Sequence, residues 1–182
     1  MEVSAEHLVF KDKLIVEEAT VGSEGNKFRK QRIKREDASA VLLLNTDSNR
    51  VVLTQQFRYP LHDKLSENML EIVAGKQEEG EAPVQTAIRE TLEETGYHIR
   101  TENIQLLLSC FATPGYSSER FYIYYATVTD EDKISKGGGV KKEHESITCV
   151  EIDADEFIKL VETAALHDAK TYIAGLYFAN YL

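Results

Sequence analysis

The stretch from Gly75 to Tyr97, GKQEEGEAPVQTAIRETLEETGY, constrains this chain more than any other. Pro83 at a first turn and Gly96 just past a last one bracket a helix over PVQTAIRETLEET. Val84, Ala87, Ile88 and Leu92 fall at helical spacing and mark the face that should meet a core. The same helix sets Glu90, Glu93 and Glu94 at i, i+3 and i+4, so three carboxylates share one face near its C-terminal end. Like charges at that spacing cost roughly a few tenths of a kcal/mol per pair, and the helix dipole disfavours anions there. Arg89 reaches Glu93 at i+4 and offsets only part of this. The arrangement suits either a solvated acidic face or the surroundings of a cation. Hard divalent ions such as Mg²⁺ take carboxylate and carbonyl oxygens and usually arrive with phosphate substrates.

Around this helix the apolar runs are short. The first 36 residues are polar, with a hairpin turning near Lys11-Asp12-Lys13 and an extended basic segment, NKFRKQRIKRED, after it. Residues 39–58 read as a hairpin turning at Thr46–Asn49, and MLEIVAGK (69–76) as one further strand. Residues 104–112 and 120–128 read as strands around the loop Thr113–Glu119. A loop over 129–146 holds Gly137, Gly138 and Gly139, and a strand and two amphipathic helices close the chain. Strands around one central helix, with helices last and no internal repeat, give an α+β or α/β/α layered domain. The 182 residues carry 21 Lys and Arg against 31 Asp and Glu, a net charge of −10. That balance argues against a nucleic-acid clamp and against an anionic membrane surface. Cys110 and Cys149 sit in apolar runs as buried, reduced thiols. With no signal-like N-terminus and no long apolar span, a cytoplasmic location is expected.

The full spacing of the central stretch is specific. Gly75, five residues, Glu81, seven residues, Arg89-Glu90, two residues, Glu93-Glu94, one residue and Gly96 resembles the Nudix box, with Thr91 where the family has an aliphatic residue or Ala. The resemblance implies an α/β/α sandwich with a mixed sheet over residues 37–182, preceded by an N-terminal β extension over 1–36. It implies a hydrolase of nucleoside diphosphates linked to another group. Glu90 and Glu94 would bind Mg²⁺ or Mn²⁺, with Glu93 as a further ligand, catalytic group or partner of Arg89, and the carbonyl of Ala74 as another ligand. Gly75, Glu81, Arg89 and Gly96 would be the structural members of the box.

Beyond the box the chain resembles the nucleotide-sugar branch, the ADP-ribose pyrophosphatases and the bacterial GDP-mannose hydrolase. Arg58 in QQFRYP would pair with substrate phosphate, and Glu71 in LEIVAGK would contact substrate. Glu119, ending TPGYSSE, would accept from sugar hydroxyls. In GGGVKKEHESI, Glu143 and Glu145 are the candidate bases, His144 the weaker one, on a loop whose glycines suit a lid. The ending HDAKTYIAGLYFANYL is similar to that of the GDP-mannose enzyme. The branch also implies a homodimer, with Arg29, Arg32 or Arg35 reaching the partner's pocket. Two alternatives stand beside hydrolysis of a nucleotide sugar: action on NADH or a dinucleoside polyphosphate, and a non-catalytic nucleotide-sugar sensor.

Overall fold

A computed structural model describes residues 1–23, 25–140 and 146–181. The chain divides into two units, Met1–Asp37 with Cys110–Phe121, and Ala38–Ser109 with Tyr122–Leu182.

The first unit is built on three antiparallel strands in chain order, β1 (Glu2–Lys11), β2 (Ile15–Ser23) and β3 (Asn26–Lys34). The hairpin turns where the sequence places it, with Lys11 opposite Ile15. The basic segment is a third strand of that sheet because β2 offers it acidic partners. Arg32 and Lys34 bond to Glu17, and Arg29 and Gln31 to Glu18. The end of β3 also meets the Thr113–Glu119 loop through a parallel bridge between Ile33 and Ser117.

The second unit carries a seven-stranded sheet. Its strands are β4 (Ala38–Asn45), β5 (Arg50–Gln56), β6 (Met69–Glu71), β7 (Val73–Lys76), β8 (Ile104–Phe111), β9 (Arg120–Val128) and β10 (Ile147–Asp153), ordered β10-β5-β4-β9-β8. Residues 69–76 form two strands rather than the single one expected. β5 pairs with β4 only over Leu43–Asn45, and the segment spans the opening. Met69–Glu71 pair with β5 and Val73–Lys76 with β4, with Ile72 buried between. β7 then runs against the central helix with Ala74 and Gly75, while Glu71 at the end of β6 turns to Arg58 and Lys170.

The helices are α1 (Pro83–Thr95), α2 (Ala154–Glu162) and α3 (Ala169–Tyr181). Val41, Leu43, Val52, Val73, Tyr124, Ala126 and Val128 form one apolar cluster with Ala87 of α1. Strand alternation turns the equally buried Leu42, Val51, Leu53 and Ile123 to the other face. Tyr125, next to Tyr124, packs on Phe178 of α3, and Phe178 meets Phe157 of α2 edge-on at 6.0 Å. The layers are those of the α/β/α sandwich expected.

α1 begins and ends as its Pro and Gly predict. Gly96 adopts φ +81°, and an added Cβ would lie 2.0 Å from the Ser135 carbonyl oxygen. Its buried side differs from the predicted stripe. Ala87 is fully buried, but Val84, Ile88 and Leu92 are only partly so. The other buried positions are Thr86, Thr91, Glu94 and Thr95. Thr91 and Thr95 satisfy their hydroxyls on the carbonyls of Ala87 and Thr91, at 2.7 and 2.6 Å, so a polar face can lie against β7 and β4. The two cysteines are free but half-buried rather than buried.

Candidate active site

β7 passes under α1 with no side chain at Gly75, and the Glu90 carboxylate fills that place. A Cβ on Gly75 would lie 1.8 Å from Glu90 Cδ and 1.9 Å from Oε1. One residue back, the Ala74 amide donates to Glu94 Oε2 at 3.3 Å. Glu94 is 4% exposed. The strand therefore draws two of the three glutamates onto one short piece of backbone.

Arg89 does more than offset part of the negative charge. Its guanidinium donates to Glu81 Oε1 and Oε2 at 2.9 and 3.0 Å, to Glu90 Oε1 at 2.7 Å, to Glu93 Oε2 at 3.1 Å and to the Lys76 carbonyl at 3.1 Å. These bonds hold the Arg89 proton more tightly than usual. The Arg89 fork, with help from Thr86 and the Glu78 amide, lowers the Glu81 carboxyl to about 2. Among the described residues, no three His, Cys, Asp or Glu side chains converge in a metal-holding group. The donors offered by Glu90, Glu93, Glu94 and the Ala74 carbonyl are all oxygen, and the Gly75 cradle seats Glu90 beside them. That chemistry fits a hard divalent cation.

A second cluster lies at the kink. Glu71, 3% exposed, accepts from Arg58 Nε at 2.7 Å and from Lys170 Nζ at 2.6 Å. Lys170, 6% exposed, also donates to Asp168 at 2.8 Å. Asp168 accepts from the Thr171 amide and hydroxyl, and the Thr171 hydroxyl in turn accepts from the Ile72 amide. Arg58 and Glu71 thus meet each other, tied to the first turn of α3. Lys170 and Asp168 were missed from sequence. The signal was there: Lys170 opens the stripe Lys170, Ala174, Phe178, a cation on an otherwise apolar i, i+4, i+8 face.

In the first unit, Arg35 donates to Glu119 Oε1 at 3.1 Å, and its amide donates to Ser118 Oγ. Arg29 is exposed and meets Glu18 at 3.5 Å. Glu143, His144 and Glu145 lie outside the described residues. A cavity of about 400 Å³ lined by Gln55, Lys64, Leu70, Leu160 and His167 includes none of these carboxylates. Among the described residues no helix is long and apolar enough to cross a membrane.

The profile of the NUDIX domain matches residues 34–173. The chain belongs to the Nudix family. An ADP-ribose pyrophosphatase of Bacillus subtilis is 32% identical over 84% of this chain and 77% of its own. A GDP-mannose pyrophosphatase of Pectobacterium atrosepticum is 32% identical over 75% of this chain and 69% of its own. A methanol dehydrogenase activator of Bacillus methanolicus is also 32% identical, over 81% and 75%. Nudix hydrolases generally use divalent metals such as Mg²⁺. Thr91, the one departure from the box, is fully buried and hydrogen-bonded within α1.

Proposed function

We propose that this Nudix protein hydrolyses the pyrophosphate bond of a nucleoside diphosphate sugar, of the ADP-ribose or GDP-mannose class, to a nucleoside monophosphate and a sugar phosphate. The observation that carries the reading is the Glu90 carboxylate seated on Gly75 beside Glu94 and the Ala74 peptide. Glu90, Glu93, Glu94 and the Ala74 carbonyl would hold Mg²⁺ or Mn²⁺. When bound, such a cation neutralises diphosphate oxygens and eases deprotonation of water. Arg89 orients Glu81, Glu90 and Glu93 through its hydrogen bonds and holds the Glu81 carboxyl ionised. Arg58 offers a planar fork to a phosphate, while Glu71 and Lys170 fix its direction. Glu143 or Glu145 takes the proton from the attacking water. The first unit's Arg29, Arg35 and Glu119 are substrate contacts, the two arginines toward a second copy of the chain in a homodimer.

A substrate panel tests this: ADP-ribose, GDP-mannose, NADH and a dinucleoside polyphosphate, each with Mg²⁺ and with Mn²⁺, read by the monophosphate formed. Release of AMP or GMP from a nucleotide sugar is expected, with Glu94→Gln lowering kcat by about two orders of magnitude or more. Product from none of the four, or full turnover in the Gln variant at saturating metal, would refute it. Light scattering at micromolar concentration checks the dimer.

A further inference from the structure

α1 ends against its own dipole. Its final turns carry Glu90, Glu93 and Glu94, and its last turn has no basic residue. The last carbonyls of a helix need donors from elsewhere. Gly96 supplies one, its amide reaching the Leu92 carbonyl at 3.0 Å. The others come from a segment far along the chain. Gly138 N donates to the Glu94 carbonyl at 2.8 Å, and Gly139 N to the Glu93 carbonyl at 3.0 Å. Ile134 N and Ser135 N both donate to the Gly96 carbonyl, and His98 N reaches back to Asp132. Glycine makes this approach possible. Gly137, Gly138 and Gly139 have φ of +64°, +103° and +79°, a region L side chains avoid. A Cβ on Gly137 would lie 2.5 Å from the Glu94 carbonyl oxygen.

We propose that Gly138 and Gly139 are positioning residues for the carboxylates of α1. The two carbonyls they hold belong to Glu93 and Glu94, two of the residues assigned to the cation, so the inference rests on the metal-dependent reading above. If these amides let go, the last turn loses its outside donors and frays, and the backbone torsions that aim both side chains change. Glu90 lies a turn earlier and keeps its seat on Gly75. The N–H dipoles also offset the negative end of α1 where the three carboxylates crowd.

The test uses the full chain free of metal and nucleotide. Hydrogen exchange should protect the Gly138 and Gly139 amides by about tenfold or more over open-chain rates. Exchange at open-chain rates in the unmutated protein overturns the inference, whatever any variant does. Mn²⁺ alone is then titrated by electron paramagnetic resonance into the unmutated protein, Gly139→Val and Gly139→Asn. Valine resists positive φ, whereas asparagine tolerates it. The Val variant should bind Mn²⁺ about tenfold more weakly, the low end for loss of a group that orients a metal ligand. The Asn variant should stay near the unmutated value, which a general loosening of the loop would not produce. Tight Mn²⁺ uptake by the Val variant overturns this inference alone. No uptake by the unmutated protein overturns the metal reading, and this inference with it.

Discussion

Gly75→Ala separates the fold from the chemistry. The new methyl would sit 1.8 Å from Glu90 Cδ and 2.4 Å from Cγ, where ordinary contact begins at 3.4 Å. The Glu90 carboxylate must therefore retreat by about 1.5–2 Å to reach normal side-chain contact. It is the far end of a flexible chain, so the protein can yield there. Gly75 of β7 pairs with Ser39 of β4, and its φ is outside the left-handed region, so alanine suits the backbone. Restricting the unfolded chain is worth about 0.4–1 kcal/mol. Loosening the ion pair between Arg89 and Glu90 costs about 1 kcal/mol or less, because Arg89 retains Glu81 and Glu93. Stability should change by less than about 1 kcal/mol, while an ångström-scale displacement of a working group lowers turnover by about 100-fold. Thermal unfolding and kcat on the best nucleotide sugar with Mg²⁺ give the two numbers. Glu90→Ala removes the atoms the methyl meets, so adding Gly75→Ala to it should change activity no further. A Gly75→Ala protein with unmutated kcat and metal dependence would refute the argument, as would additive losses in the double variant.

Other outcomes follow from the same geometry. Lys170→Met leaves the buried Glu71 and the half-buried Asp168 with less counter-charge, and denaturant unfolding should show a loss of about 3 kcal/mol or more. Glu81 is depressed from 4.5 to about 2 by Arg89. Its contribution to stability is complete above the unfolded value and is lost as pH falls toward 2. Glu81→Gln should therefore be less stable at neutral pH and show a shallower acid limb in Tm against pH; an unchanged limb would remove Glu81 from that role. The Tyr97 hydroxyl donates to Glu151 at 2.9 Å and accepts from Asn45 at 3.2 Å, with Lys133 4.8 Å from its ring. Tyr97→Phe should cost about 0.5–1.5 kcal/mol in the same unfolding assay, because Asn45 keeps Asp130 and Glu151 keeps Lys133.

What was legible in the sequence was local. Pro83 and Gly96 bound α1, and alternating or continuous apolar runs located β4, β5, β8 and β9, because these signals depend on neighbours a few residues away. The split of residues 69–76 was not legible, because Ile72 continues the apolar run and only the divergence of β5 from β4 makes a kink useful. The buried face of α1 was misjudged for a related reason. Thr86, Thr91 and Thr95 lie outside the predicted apolar stripe and can be buried because their hydroxyls find backbone oxygens or Glu81. The box residues could be named from spacing, but not how far Arg89 reaches, nor that Arg58 and Glu71 share Lys170. Long-range ion pairs leave almost no trace in a one-dimensional pattern.

On the proposed reading, the distribution of charge gives a reason for a diphosphate to need more than side chains at this site. The first 37 residues carry eight groups of each sign, so the net −10 resides in the rest of the chain, which holds α1 and the kink. The cations named at α1 and at the kink are engaged by carboxylates. Arg89 serves Glu81, Glu90 and Glu93, and Lys170 and Arg58 both serve Glu71. A diphosphate brought to this surface meets paired guanidinium groups and three glutamates on one helix face. Its approach is favourable only if further positive charge comes with it, and an oxygen-lined site beside a glycine is the place a small divalent cation can enter. Affinity for a nucleotide sugar should then rise steeply with Mg²⁺ and only weakly with Na⁺ or K⁺ at matched ionic strength. Equal binding in chelator and in Mg²⁺ would mean that the glutamates on α1 serve α1 alone.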